Sequence, residues 1–290
     1  MTDTAKTVSL VLGSGGARGL AHIGVIAELE SRHYRIASIS GCSIGALIGG
    51  IYAAGKLDRY TEWVSDITRL DMVNLLDLAW QSDGLIKGDK IINKLIDVVG
   101  DQKIESLPIP FTAVATDITN GCEVWLSKGP LFDAIRASIS LPLFFTPVER
   151  RGARLIDGGC LNPVPIAPTF ADETDLTIAV NLGGTPISTE PEEPDTGLEA
   201  QSTEIAGWIG SMVADVRKSL KKRSSRDWGA YDVANEAFDA MQSTIARQKL
   251  AAYPPDVEIE IPRNACGTLE FNRAAEMIAL GRQAARNALG

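Results

Sequence analysis

"VSLVLGSGGARGLAHIGVIAELESRHYRIASISGCSIGALIGG" (residues 8–50) decides the fold. Its first five residues are mostly apolar and β-branched, and they break into the glycine-rich "GSGGARG" (13–19). A helical pattern follows over 20–31, with Ile23, Ile26, Ala27 and Leu29 as its apolar members. "RIASIS" (35–40) reads as a second strand, Gly41 breaks it, and a helix runs over 44–54. Strand, glycine loop, helix, strand, sharp turn, helix is an alternation that predicts a mostly parallel sheet covered by helices.

The rest of the chain continues this theme. "DKIINKLIDVV" (89–99) has helical spacing, and "PFTAVATDI" (110–118) reads as a strand. "DITNGCEVWL" (117–126) carries an Asn-Gly pair between two extended runs, a hairpin signal. "LFDAIRAS" (131–138) is helical, "ARLIDGG" (153–159) is a strand ending in a turn, and "LTIAVNLGG" (176–184) is another buried strand. "TPISTEPEEPDTG" (185–197) is rich in Pro and acid and reads as an exposed loop. Residues 200–250 look helical, "DVEIEI" (256–261) returns to strand, and 269–289 is an amphipathic helix. The expected fold class is α/β, in three layers α/β/α around a mostly parallel central sheet. The expected organisation is one domain over 7–290: a core at 8–184, a loop and helical excursion at 185–250, and a closing strand and helix at 251–290.

Composition narrows the function. Apolar residues make up 45% of the 290 and charged residues 22%, as in an ordinary soluble globular protein. With 28 Lys+Arg against 37 Asp+Glu the formal net charge is −9, which argues against a nucleic-acid partner and against a global pull toward anionic lipid. The basic run "RKSLKKRSSR" (217–226) is the one local exception, and a solvated helix face or loop is its plainer reading. Cys42, Cys122, Cys160 and Cys266 are widely spaced, fit no metal-ligand pattern and read as free thiols of a reducing compartment. "MTDTAKTVSL" lacks the features of a secretory signal, and the longest nearly apolar stretch, 42–55, is too short to span a bilayer. The expected location is cytoplasmic, with at most peripheral contact at the inner membrane face.

"GCSIG" (41–45) is a Gly-x-Ser-x-Gly pattern between a strand and a helix. There Ser43 would sit on a tight, strained turn, with Gly41 and Gly45 making room for the backbone and the following helix. The helix N-terminus would bring its positive end to the hydroxyl. Ser43 is either a nucleophile or a small residue in a structural turn. A nucleophilic serine needs a base. The chain has only His22 and His33, and both precede Ser43, so the Ser–acid–His order of α/β-hydrolases is excluded. His22 reads as a packing or capping residue of the first helix, and His33 as part of its polar end. Asp157 ends a strand just before Gly158 and Gly159. It is either a buried carboxylate that accepts the serine proton or a turn cap.

"GSGGARG" fits no dinucleotide fingerprint in either register, because position 18 is Arg and position 14 is Ser, and it lacks a P-loop lysine. Its successive N–H groups could instead form an oxyanion hole. Arg18 could fix the loop or meet negative charge on a substrate phosphate.

Glycine loop with Arg, Gly-x-Ser-x-Gly and Asp-Gly-Gly occur here in one order. As a set they resemble the patatin-like phospholipases, which use a Ser–Asp dyad rather than a triad. "SGGARG" (14–19) is similar to the family's Gly-Gly-Gly-x-Arg/Lys-Gly loop, with Ser14 departing from glycine. "RASISLPLFFTPV" (136–148) looks like the family's Ala-Ser-x-Ser/Ala-x-Pro-x-x-Phe segment. "PPDVEIEIP" (254–262) and the closing helix resemble a bacterial subgroup related to neuropathy target esterase.

The resemblance implies a patatin-like fold and a lipid acyl ester substrate of the phospholipase or lysophospholipase type. It implies Ser43 as nucleophile and Asp157 as general base. The N–H groups of Ser14, Gly15 and Gly16 would form the oxyanion hole, with Arg18, Gly19, Gly41, Gly45, Gly158 and Gly159 in support. No metal and no cofactor are implied. The alternatives are a regulatory or adaptor protein on the same scaffold, and an acyltransferase or thioesterase.

Overall fold

The computed structural model describes residues 5–75, 87–187 and 230–290. The basic run 217–226 and most of the expected acidic loop at 185–197 therefore lie outside the described residues, as does the first part of the helical stretch at 200–250.

The first strand, β1 (Thr7–Leu12), shows why the chain needs helices on both sides. Successive side chains of a strand point to opposite faces, and β1 is apolar on both. Val8, Leu10 and Leu12 enter the larger core. Val11 faces the other way, into a second cluster with Val164, Ile166, Ala179, Ala246 and Leu250. Each fully buried side chain of this kind contributes about 1.5–3 kcal/mol, so neither face can be left to water.

The sheet continues through β2 (Arg35–Cys42), β3 (Phe111–Asp117), β4 (Cys122–Leu126), β5 (Val148–Arg150), β6 (Ala153–Asp157), β7 (Leu176–Gly184) and β8 (Val257–Pro262). β3, β2, β1, β7 and β8 run parallel in that spatial order. β4, β5 and β6 form an antiparallel margin. The Asn-Gly pair does mark a hairpin: β3 and β4 are joined by residues 118–121, where Gly121 has φ +65° and the Asp117 carboxylate accepts the Thr119 and Asn120 N–H groups.

The helices are α1 (Ala21–Ser31), α2 (Ile44–Ala53), α3 (Leu57–Ser65), α4 (Arg69–Leu75), α5 (Asp89–Val99), α6 (Leu131–Ser138), α7 (Ala230–Ala252) and α8 (Ala274–Leu289). A 3₁₀ turn over Gly16–Leu20 leads into α1, so the first helix starts at Ala21, one residue later than the apolar pattern suggests. A second such turn, Phe271–Arg273, precedes α8 and delays its start relative to the expected 269. Helices flank the sheet on both faces, with α7 supplying Ala246 and Leu250 to the smaller cluster and α8 supplying Met277, Leu280 and Ala285 to the larger. α1 and α8 touch backbone to backbone: a Cβ on Gly24 would lie 1.9 Å from the Ile278 carbonyl oxygen, and one on Gly281 1.9 Å from that of Ala21. Glu28, buried in α1, reaches Arg282 and Arg286 of α8 at 3.2 and 3.0 Å.

The arrangement around β3 positions the site. Ala113 and Val114 pair with both β2 and β4, while Ala115 to Asp117 pair with both β4 and β6. β4 occupies one edge throughout, so β2 and β6 must share the other. They meet end to end, with Cys42 opposite Val114 and Asp157 opposite Ala115. Asp157 thus comes from an antiparallel strand whose end abuts the carboxyl end of β2.

Candidate active site

Ser43 forms the turn between β2 and α2. Its backbone lies at φ 56°, ψ −123°, which a non-glycine residue holds only when its surroundings enforce it. Its N–H donates to Ser138 Oγ at 2.8 Å, and Ser138 Oγ donates to the Val114 carbonyl at 2.6 Å. The flanking glycines are steric requirements: a Cβ on Gly45 would fall 2.1 Å from the Leu12 carbonyl oxygen, and one on Gly41 2.5 Å from that of Gly45.

Ser43 Oγ donates to Asp157 Oδ2 at 2.5 Å. Asp157 Oδ1 accepts the Gly159 N–H at 2.7 Å, and the Cys42 thiol stands 3.9 Å away. The Asp157 N–H donates to the Ser140 carbonyl at 2.9 Å. Residues 138–140 therefore hold both Ser43 and Asp157. Ser138 lies within "RASISLPLFFTPV" (136–148), but nothing local in the sequence assigns it this role. Gly158 lies where a Cβ would come 2.2 Å from the Val114 carbonyl oxygen, so the turn after Asp157 is pressed onto β3.

Asp157 is 1% exposed. Burial pushes its carboxyl up to about 6, against the pull of hydrogen bonds from Ser43, Gly159 and Cys42. Such a group is ionised at neutral pH yet poised to take a proton. Burial, reinforced by the Asp157 charge, raises the thiols of Cys42 and Cys160, the latter to about 12. Both remain protonated at neutral pH and are poor nucleophiles.

The glycine loop lies beside this turn, where a Cβ on Gly19 would strike Ile44 at 2.2 Å. Two of the expected roles change here. The Ser14 N–H donates to the Pro163 carbonyl at 2.8 Å, so Ser14 has no backbone donor to offer an oxyanion. Among the described residues nothing accepts from the N–H groups of Gly15 and Gly16. Arg18 is buried, with its guanidinium on both oxygens of Asp239 and on the Arg263 carbonyl. It fixes the loop to α7 and is not turned to a substrate phosphate. His22, fully buried, has Nε2 2.9 Å from the Gly13 carbonyl, and burial lowers its pKa to about 4. A neutral His22 donating to Gly13 anchors the start of the loop and is not the base. His33 is exposed at the end of α1.

Ser43 and Gly16 open onto an apolar cavity of about 90 Å³, walled by Ile44, Leu47, Trp63, Ile67, Ile91, Phe144 and Phe271 among others. Among the described residues no three His, Cys, Asp or Glu side chains converge as metal ligands would, and no helix is long and apolar enough to cross a membrane.

The profile of the patatin-like phospholipases matches residues 10–170, more than half of the chain. The chain belongs to the patatin-like phospholipase family. An uncharacterized NTE family protein of Mycobacterium tuberculosis is 39% identical, over 99% of this chain and 92% of that protein. Lysophospholipase NTE1 of Saccharomyces cerevisiae is 31% identical over 67% of this chain, and patatin-like phospholipase domain-containing protein 6 of Mus musculus 32% over 71%. The chain spans only 12% and 15% of these two longer proteins. Among solved structures, VipD from Legionella pneumophila aligns with a TM-score of 0.46 at 15% identity, covering 98% of this chain and 66% of that one. Membership in a family of patatin-like phospholipases supports hydrolysis of lipid esters as the class of chemistry.

Proposed function

We propose that this protein is a serine-dependent lipid acyl hydrolase with a Ser43–Asp157 dyad. The observation that carries the proposal is the 2.5 Å hydrogen bond from Ser43 Oγ to a buried carboxylate at an apolar cavity that Gly16 also lines. As Ser43 Oγ attacks the ester carbonyl carbon, its proton passes to Asp157. The carbonyl oxygen becomes an oxyanion, held by the N–H groups of Gly15 and Gly16; one such donor contributes roughly 3–4 kcal/mol. The intermediate collapses, the bond to the leaving oxygen breaks, and Asp157 returns the proton to that oxygen. An alcohol or lysolipid leaves. Asp157 then takes a proton from water as the water attacks the acyl-enzyme. The fatty acid departs and the proton returns to Ser43 Oγ.

The cavity suits the first few carbons of an acyl chain, because its wall is apolar apart from the reacting end. Lysophospholipids are the proposed substrates, on the strength of the yeast relative's name and of the apolar cavity at Ser43. Residues 7–290 are proposed to act as one unit in this, a reading supported by β8 pairing with β7 and α8 packing on α1.

Fatty acid release from lysophosphatidylcholine, together with fluorophosphonate labelling of Ser43, tests the proposal. Wild type should do both and Ser43→Ala neither. A wild type that is folded, inert and unlabelled would favour the adaptor reading. Labelling with acyl passed to an added alcohol in preference to water would favour an acyltransferase.

A further inference from the structure

We propose that Gln242, on α7, is a positioning residue for this reaction, bracing the oxyanion loop against the turn that carries Asp157. The inference rests on the hydrolase reading above. Gln242 is 7% exposed, and its Nε2 donates to Ser14 Oγ at 3.2 Å. The same amide lies against the Asp157 turn: a Cβ on Gly159 would be 2.0 Å from Gln242 Nε2, 2.8 Å from Ser14 Oγ and 3.0 Å from Asp157 Oδ1. The oxyanion loop, the carboxylate turn and α7 therefore converge on one point. Asp239, three residues earlier on the same helix face, grips Arg18 of the same loop.

Ser14 is where this chain departs from the glycine of the family pattern. Its backbone N–H is spent on Pro163, so its contribution is the hydroxyl, and the hydroxyl is what Gln242 holds. A glycine there would give the amide nothing to grip. The space enclosed by Ser14, Arg18, Asn181, Asp239 and Gln242 is about 10 Å³, too small for a ligand larger than one water. The cluster is a brace and not a binding site.

The donors of an oxyanion hole act on the charge that develops in the transition state, so a loop allowed to drift lowers turnover more than substrate affinity. The test compares wild type, Gln242→Met, Ser14→Ala and the double variant. It measures kcat and KM on p-nitrophenyl butyrate, the rate of fluorophosphonate labelling, and Tm. Each single change should lower kcat and the labelling rate by about three- to tenfold, the worth of one buried hydrogen bond, with KM within twofold. The double variant should be no worse than the poorer single one. The acid limb of the pH–rate profile should not move, because Asp157 is untouched. Ser14→Ala removes only the acceptor oxygen and carries the test alone if Gln242→Met does not fold. Losses that multiply in the double variant, or a lowered Tm with unchanged kcat, overturn the inference while the hydrolase reading stands. A folded wild type that is inert and unlabelled overturns both.

Discussion

Ser43 Oγ and Asp157 Oδ2 are 2.5 Å apart although 114 residues separate them in the chain. β3 closes that gap. β2 ends opposite Val114 and β6 ends opposite Ala115, on the same edge of the strand, so two chain ends arriving from opposite directions deliver a hydroxyl and a carboxylate to one place.

The pH dependence of activity follows from the environment of Asp157. As the proposed base, Asp157 must be ionised to accept a proton, and burial sets it near 6. kcat/KM should fall about tenfold per pH unit below 6 and level off above it. A pH–rate profile on a p-nitrophenyl ester checks this, and an acid limb centred near 4 would show an unperturbed carboxylate.

Raising that carboxylate costs stability. The folded chain binds the Asp157 proton more tightly than the unfolded chain does, so stability falls as pH rises from about 4 to about 6, and the deficit is complete above that window. Asp157→Asn should therefore raise Tm at pH 8, by about 1–3 kcal/mol of stability, while abolishing turnover. Its advantage should vanish near pH 4. His22 contributes with the opposite sign, gaining stability as pH rises from about 4 to 6.5, but it is common to both proteins and cancels in the difference. Equal Tm values at pH 8 would contradict the prediction.

Gly24 and Gly281 test the contact between α1 and α8. Helix propensity alone favours alanine by about 1 kcal/mol. Here each added Cβ would sit 1.9 Å from a backbone oxygen of the other helix, which no side-chain rotation relieves. Either alanine should destabilise by about 2–4 kcal/mol, read as a lower midpoint in urea.

Arg18 should matter through Asp239 and not through substrate. Arg18→Met leaves that carboxylate, 22% exposed, without its partner and should cost about 3 kcal/mol. Arg18→Lys should recover little, because one ammonium cannot span both carboxylate oxygens and the Arg263 carbonyl. Thermal denaturation of the two variants decides it. A large rise in KM confined to phosphate-bearing substrates, with Tm unchanged, would restore the substrate role.

Local pattern made the strand–turn–helix units legible. The hydrophobic spacing of α5 and α6, the β-branched run of β1 and the glycines around Ser43 each report a nearby physical demand. With no histidine after Ser43, the sequence points to a carboxylate as the candidate base. What could not be read was anything set by tertiary partners. That Ser14 gives its N–H to Pro163, that Ser138 holds Ser43, and that Arg18 answers to Asp239 depend on residues brought together from far along the chain. The antiparallel margin was hidden for the same reason: "ARLID" is a strand in either direction, and only its partner decides which.

The most direct test of the dyad is kcat/KM for p-nitrophenyl ester hydrolysis by wild type, Ser43→Ala and Asp157→Asn, each shown to be folded by circular dichroism. The dyad predicts that both variants lose at least about a thousandfold. Near-wild-type activity in Asp157→Asn would contradict it, leaving Asp157 as a residue of the turn and Ser43 without its base.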